Sequence, residues 1–317
     1  MSLAKAPVVA RVVRNGFVES LHHGLGVITG PDGDVCFAVG DPDTIVLPRS
    51  SNKPVQALAM LRRGSGLAGA QLALACSSHS GEGFHLSTVR DVLAGAGLSV
   101  ADLGNTPDYP LDEEARLAWI ASGRRKESLA QNCSGKHASM LVTAARNGWP
   151  TADYLDPHHP VQGGITETVE ELTSATVTAM AVDGCGAPLH AVPLSGLARA
   201  FGRIAGAADG EERQVADAMR AHPEYVAGTR RDATRFMRAV PGLIAKDGAE
   251  GVYAAGLPDG RGIAVKIADG HERARAGLLA ALLQVAGVAA ESLAGVVDAP
   301  VLGHGRPVGA VETLPLR

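Results

Sequence analysis

The sequence predicts a mixed α/β (α+β) fold, with one sheet built from the N- and C-terminal segments and a central, mainly helical lobe. Three observations lead there. Valine-rich runs of strand length occupy the segment before residue 40. Apolar residues then recur at helical spacing from Ser50 to about Arg238, and strand-like runs return after Pro241. The expected organisation is one domain over residues 1–317, with a sheet lobe of about 1–49 plus 239–317 and a helical lobe of about 50–238.

The elements follow in order. Val8 to Val13, Gly24 to Thr29 and Asp34 to Val39 read as strands, the last two joined by the tight turn Pro31-Asp32-Gly33-Asp34. Asp43 to Pro48 reads as extended, and a helix is predicted from Ser50 through Leu61. Helical spacing marks Gly83 to Ala96, Leu111 to Ala121, Gly135 to Arg146, Ile165 to Leu172, Leu194 to Ile204 and Glu211 to Met219. His222-Pro223-Glu224 starts one more helix, predicted to run through Met237. Gly242 to Lys246, Gly251 to Gly256, Gly262 to Ile267 and Pro307 to Thr313 read as strands, with a helix from His271 to Val285.

Composition narrows the function. Hydrophobic residues make up 46% and charged residues 20%, enough apolar material for a sizeable core. Aromatic residues are only 3% and the formal net charge is -4, so base-stacking platforms and basic patches are lacking and nucleic acid is excluded as a partner. No apolar run is long enough to span a bilayer and the first residues lack a signal-peptide core, so no membrane association and a cytoplasmic location are expected. Cys36 and Cys76 lie within apolar runs and read as small buried hydrophobes. Cys133 and Cys185 lie beside glycine and polar residues, a setting that favours a metal or reactive site over a disulfide in a reducing compartment.

Chemistry concentrates in a few segments of polar residues flanked by small ones. Arg49-Ser50-Ser51-Asn52-Lys53-Pro54 places a serine and a lysine three apart at a helix start, where Cβ atoms lie about 5–6 Å apart. A lysine becomes a base for serine only when burial or a second cation keeps part of it neutral. Cys76 to Glu82 supplies a second serine, Ser78, and Ala245 to Gly251 supplies a second lysine, Lys246, on a strand. Singly, Ser78 and Ser134 are explained as helix caps, and Lys246 as a solvated edge residue. Together, the serine–lysine turn, the serine loop and the K-x-G strand are the elements of an acyl-transfer site.

The segments R-S-S-N-K-P, C-S-S-H-S-G-E, N-C-S-G-K-H, D-G-C-G-A-P, H-P-E-Y-V-A-G and K-D-G-A-E-G, in this order over residues 49 to 251, resemble the class 3 (rhizobial-type, asparaginase II-like) L-asparaginases. The resemblance implies a β-lactamase/glutaminase-like fold and hydrolysis of L-asparagine to L-aspartate and ammonia. It implies Ser50 as nucleophile with Lys53 as its partner, and Ser78 with Lys246 as a second pair. It also implies a Zn2+ site of Cys133, Lys136 and Cys185 with Asp183 beside it. A homodimer is the expected assembly. Spacing alone favours His137 over Lys136 as the nitrogen ligand, because an amine must first lose its proton. Gly186 departs from a polar residue expected in some relatives, which removes one substrate contact.

Arg49 is a candidate for the substrate α-carboxylate, through two parallel hydrogen bonds, and equally for a structural ion pair. The N–H groups of Ser50 and of the strand near Gly248 are candidate oxyanion donors. Rival readings are a glutaminase or β-lactam hydrolase of the same fold, and a non-catalytic amino-acid sensor. Lys246-Asp247-Gly248 in place of K-T-G and Ser78-His79-Ser80 in place of S-D-N count against a β-lactam substrate. The intact serines and lysines count against a sensor.

Overall fold

A computed structural model describes residues 3–316. Strands β1 (Val8–Arg14), β2 (Phe17–Thr29) and β3 (Val35–Val39) open the chain, and a short β4 (Ile45–Val46) follows. The central segment carries α1 (Lys53–Arg62), α2 (Gly69–Ala75), α3 (Gly83–Ala94), α4 (Glu113–Ala121), α5 (Ser134–Arg146) and α6 (Pro160–Thr173). After them come β5 (Met180–Val182), β6 (Pro188–His190), β7 (Val192–Pro193), α7 (Leu194–Gly206), α8 (Gly210–Ala221), α9 (Pro223–Val226) and α10 (Asp232–Ala239). The chain closes with β8 (Ile244–Asp247), β9 (Val252–Gly256), β10 (Gly262–Ile267), α11 (Arg275–Val285), β11 (Pro300–Gly303) and β12 (Arg306–Thr313).

The two ends of the chain build one antiparallel sheet, in the order β11-β12-β1-β2-β10-β9-β8, with β3 also paired to β2. Strand β2 is longer than its predicted core Gly24–Thr29. Its first half pairs with β1, and its second half runs between β10 and β3. The change of partner falls at Gly24, where a Cβ would meet the Lys266 carbonyl and Val9 at 2.9 Å each. Phe17, Val18 and Leu21 in the first half are exposed, so that half has no buried alternation to announce it. Strand β11 escaped the sequence reading for the same reason: only Val301 of its four residues is buried.

Strands β8, β9 and β10 are buried along their whole length, because helices cover both faces. A Cβ on Gly262 would meet the Ala198 carbonyl of α7 at 1.8 Å, and one on Gly256 the Phe201 carbonyl at 2.3 Å. On the opposite face, a Cβ on Gly26 would meet Leu282 of α11 at 2.8 Å. Helix α7 of the central segment therefore belongs to the layer over the sheet. The small pairs β4–β7 and β5–β6 lie outside the main sheet.

Two further departures matter for the site. The helix predicted from Ser50 begins as a 3-10 turn over Arg49–Asn52, and α1 starts only at Lys53. The helix predicted from His222 through Met237 is two helices, broken where Gly228 takes φ +146. The Gly228 backbone presses against Ser80, whose Oγ a Cβ would meet at 2.0 Å. Thr234 Oγ1 donates to the Gly228 carbonyl at 2.7 Å and fixes the break.

Gly262→Ala is expected to destabilise the protein by about 3 kcal/mol, the upper end of the usual cost of overpacking, because the obstacle is helix backbone. Urea denaturation checks this; an unchanged midpoint would contradict the packing of α7 on β10.

Candidate active site

Four segments meet where the end of β8 approaches the turn before α1. Ser51 Oγ donates to the Lys246 carbonyl at 3.1 Å. The next turn comes closer still: a Cβ on Gly248 would meet the Pro48 carbonyl and Ser51 Oγ at 2.8 Å each. Only glycine permits this approach, which explains the K-D-G sequence. Arg49 opens the turn with φ +52, a left-handed conformation that costs a non-glycine residue about 1 kcal/mol.

The S-S-H-S loop after α2 is stitched to its neighbours. Ser78 N donates to the Val226 carbonyl at 3.1 Å, and His79 N to the Asn132 carbonyl at 3.0 Å. His79 Nε2 lies 2.8 Å from Ser134 Oγ, and its Nδ1 accepts from Gly81 N at 3.1 Å. Burial pushes the His79 ring well below its ordinary pKa, with His85 and Lys53 adding to the effect. A neutral ring fits that role, accepting at one nitrogen and donating at the other.

Lys53 is buried at 1% exposure and spends its amine on three acceptors. These are the Ser77 carbonyl at 2.5 Å, Ser78 Oγ at 3.0 Å and Cys133 Sγ at 3.2 Å. Lys246, fully buried, donates to the carbonyl and to Oδ1 of Asp247, both at 2.7 Å. Among the described residues, no hydrogen bond joins Lys53 to Ser50 or Lys246 to Ser78. Lys53 thus hydrogen-bonds Ser78, the serine that the resemblance assigns to the second pair. Burial brings Lys246 down to about 8, a shift that Asp247 opposes and that Arg231 and Lys53 assist. Lys246 is no solvated edge residue.

Ser50 differs from the other serines of the site. It is half-buried, whereas Ser51, Ser77 and Ser78 are buried. Its N–H lies in the first turn of a helix, where leading N–H groups lack intrahelical acceptors. The Gly248 N–H, the other expected oxyanion donor, is already committed to the Val252 carbonyl at 2.8 Å.

Cys133, Lys136 and Cys185 converge at the adjoining wall. Lys136 Nζ lies 3.2 Å from Cys185 Sγ, and the Asn132 amide oxygen 3.0 Å from Cys133 Sγ. A hydrogen bond from Cys185 holds the Cys133 thiol well below its ordinary pKa, helped by the Lys53 and Lys136 charges. Cys185 is pushed up by sharing that proton and by burial. Burial opposes the Lys136 charge, but Cys185, Cys133 and Asp183 outweigh it and raise its pKa. His137, the ligand that spacing favours, instead has its Nδ1 2.7 Å from Tyr154 Oη. Among the described residues, no group of three or more His, Cys, Asp and Glu side chains is placed to hold a metal. Two sulfurs and an amine lie together there, and the amine must lose its proton before it can bind a metal.

Asp183 joins this wall to the Ser50 turn. Its Oδ1 accepts from Arg49 Nε at 2.7 Å and from Gly184 N at 2.9 Å, and its Oδ2 lies 3.7 Å from Cys185 Sγ. Arg49 therefore makes the structural ion pair that was one of its two readings.

Hydrogen bonds thus link five of the six motifs, and the sixth offers the Val226 and Ala227 carbonyls to the serine loop. Residues 10–313 match the family described as L-asparaginase II. This chain belongs to the L-asparaginase II family. No curated protein matches it. Among solved structures it is similar to a β-lactamase from Mycobacterium bovis, at 16% identity over 93% of this chain and 98% of that one, TM-score 0.45. It is also similar to Mglu in its native form, at 17% identity over 84% of this chain, TM-score 0.45, and spans 65% of that chain. A simvastatin synthase from Aspergillus terreus follows at 9% identity over 81% of this chain and 88% of that one, TM-score 0.36.

Within this family member, sequence reasoning overlooked the buried Asp247 as a hub and the arginines that reach it. Arg231 and Arg275 both contact its carboxylate. Nothing in the run T-R-R-D distinguishes Arg231 from a surface arginine. Cys36 is also corrected: its strand lies at the surface and the residue is exposed, while Cys76 is buried as expected. A thiol reagent on native protein should accordingly label Cys36 fast and Cys76, Cys133 and Cys185 slowly, with four thiols reacting in denaturant. Two thiols in denaturant would reveal a disulfide and contradict this arrangement.

Proposed function

We propose that the chain is an L-asparaginase, hydrolysing the side-chain amide of L-asparagine to L-aspartate and ammonia through an acyl-enzyme on Ser50. The observation that carries this reading is the Lys53 Nζ–Ser78 Oγ hydrogen bond of 3.0 Å, in a wall that also buries Lys246 beside the accessible Ser50 turn. Family membership supports amide hydrolysis, and burial supports a division of roles between the serines. A nucleophile must meet substrate, which favours half-buried Ser50; a proton relay need not, which suits buried Ser78.

Lys246 is the base of this reading. An amine titrating near 8 is neutral in about a tenth of molecules at pH 7, and a base works best when its pKa lies near the working pH. The Ser50 oxygen bonds to the amide carbon as its proton passes to an amine. The carbon–nitrogen bond then breaks, and Lys53 protonates the departing nitrogen through Ser78. Water hydrolyses the resulting ester, its hydroxyl going to the acyl carbon and its proton to the Ser50 oxygen, and aspartate leaves. The proton held by Lys246 returns to Lys53 before the next turnover. Cys133, Lys136 and Cys185 are the residues that would hold zinc, which would supply a fixed positive charge in place of the amine proton.

Purified protein is expected to release ammonia from asparagine, with kcat/KM for glutamine about 10²-fold lower, because the longer side chain displaces the carbonyl from Ser50. Ser50→Ala should remove nearly all turnover, and Ser78→Ala should lower kcat by about 10²–10⁴-fold, the usual range for a proton-transfer group. Equal efficiency on both amides would replace the reading with a glutaminase-asparaginase. Nitrocefin turnover with inert asparagine would replace it with a β-lactam hydrolase.

Elemental analysis should find about one zinc per chain. Cys133→Ser and Cys185→Ser should each lose it, and Cys36→Ser should keep it. A zinc-free protein purified under reducing conditions would refute the metal site.

A further inference from the structure

Lys246 and Ser78 lie on elements far apart in sequence, β8 and the loop after α2, and among the described residues no hydrogen bond joins them. Arg231, at the head of α10, spans the gap. Its Nη1 donates to the Ser78 carbonyl at 2.6 Å, and its Nη2 pairs with Asp247 Oδ2. Asp247 Oδ1 in turn accepts from Lys246 Nζ at 2.7 Å. Arg275 also meets Asp247 Oδ2, at 3.3 Å, but its other nitrogen holds the Gly248 carbonyl at 2.6 Å. Arg275 thus secures the strand end, and Arg231 alone of the two reaches the serine loop.

We propose that Arg231 is a positioning residue for amide hydrolysis, holding Lys246 through the shared Asp247 carboxylate and Ser78 through its carbonyl. The proposal rests on the reading of Lys246 and Ser78 as the groups that move protons. Its physical basis is the planar guanidinium, whose rigid fork reaches two acceptors at once, whereas an ammonium offers a single point of charge. The break between α9 and α10 brings Arg231 there. Gly228 at φ +146 lets the chain fold back onto Ser80, and Ser80 Oγ seals the contact by donating to the Ala227 carbonyl at 2.9 Å.

The groups facing Lys246 come from four elements. They are Asp247 on its own strand, Arg231 on α10, Lys53 on α1 and Cys76 at the end of α2. Arg275, Asp232 and Tyr253 surround Asp247 in turn. Asp247 favours the charged amine, and Arg231 disfavours it. Removing each should therefore move the Lys246 titration in opposite directions, which a purely structural role would not do.

The test follows the Lys246 amine by NMR in lysine-labelled full-length protein, with Lys246→Arg to assign its signal. Parent protein should titrate near 8, Arg231→Gln higher and Asp247→Asn lower. The acid limb of the kcat profile should move in the same sense, with kcat of Arg231→Gln down about 10²-fold and KM little changed. Arg231→Lys should restore the midpoint but not kcat. One midpoint for parent, Arg231→Gln and Asp247→Asn, or full kcat in Arg231→Lys, would overturn the proposal. Should Asp247→Asn fail to fold, the two Arg231 variants decide alone. If the parent hydrolyses no amide, the asparaginase reading fails while the NMR titration still judges the clamp.

Discussion

Three lysine amines share one buried locus, and their charges constrain everything around it. Lys53, Lys136 and Lys246 are each no more than 1% exposed. Removing an ammonium from water costs several kcal/mol even after relaxation, so each needs close acceptors or must lose its proton. The three are accommodated differently. Lys53 is surrounded by a carbonyl, a hydroxyl and a sulfur, Lys136 by sulfur and the nearby Asp183, and Lys246 by Asp247. Burial prevails at Lys246, whose pKa is lowered to about 8, whereas Cys185, Cys133 and Asp183 keep Lys136 charged. One locus thus holds both an ammonium kept charged and an amine close to release, the combination that acyl transfer with proton return demands.

Asp247 is the counterweight. Burial works against its charge, but Arg231, Lys246 and Arg275 hold the carboxylate well below its usual range. The adjacent Asp232 is pushed up by burial and by Asp247, so a second negative charge is resisted. The fold brings these groups together economically. Helices on both faces leave β8 buried, and Gly248 lets its end touch the Ser50 turn. A larger side chain at Gly248 would force the strand from the Ser50 turn and part Ser50 from Lys246.

The fold was largely legible because its core elements carry strong periodicity. Predictions for β1, β3, β10, α5 and α7 match the structure to within a residue or two at each end. The failures have two causes: β11 and the outer half of β2 have little one-sided burial, and the break at Gly228 answers to a contact with Ser80, distant in sequence. The site was legible as a set of motifs but not as a set of pairs. Spacing placed Lys53 near Ser50, since a continuous helix would put their Cβ atoms side by side. In the structure the lysine amine instead reaches Ser78, which lies 25 residues further along the chain. No local pattern encodes such a pairing, and Arg231 and Asp247 escaped for the same reason.

In the asparaginase reading, Arg49 serves both structure and substrate. Its strained backbone, at φ +52, projects the guanidinium toward Asp183, which occupies Nε at 2.7 Å. A guanidinium has five donors, and Nε is only one of them. Glu250 approaches Nη1 at 3.8 Å, too far for a hydrogen bond, and 24% of the Arg49 side chain is exposed. In the asparaginase reading, the remaining N–H groups face the α-carboxylate while Asp183 holds the plane of the fork. Asp183 would then orient Arg49 with one oxygen and face Cys185 with the other, tying substrate recognition to the thiol wall through a single carboxylate. The structural ion pair and the binding role, alternatives when read from the sequence, are compatible because the first fixes the geometry that the second requires.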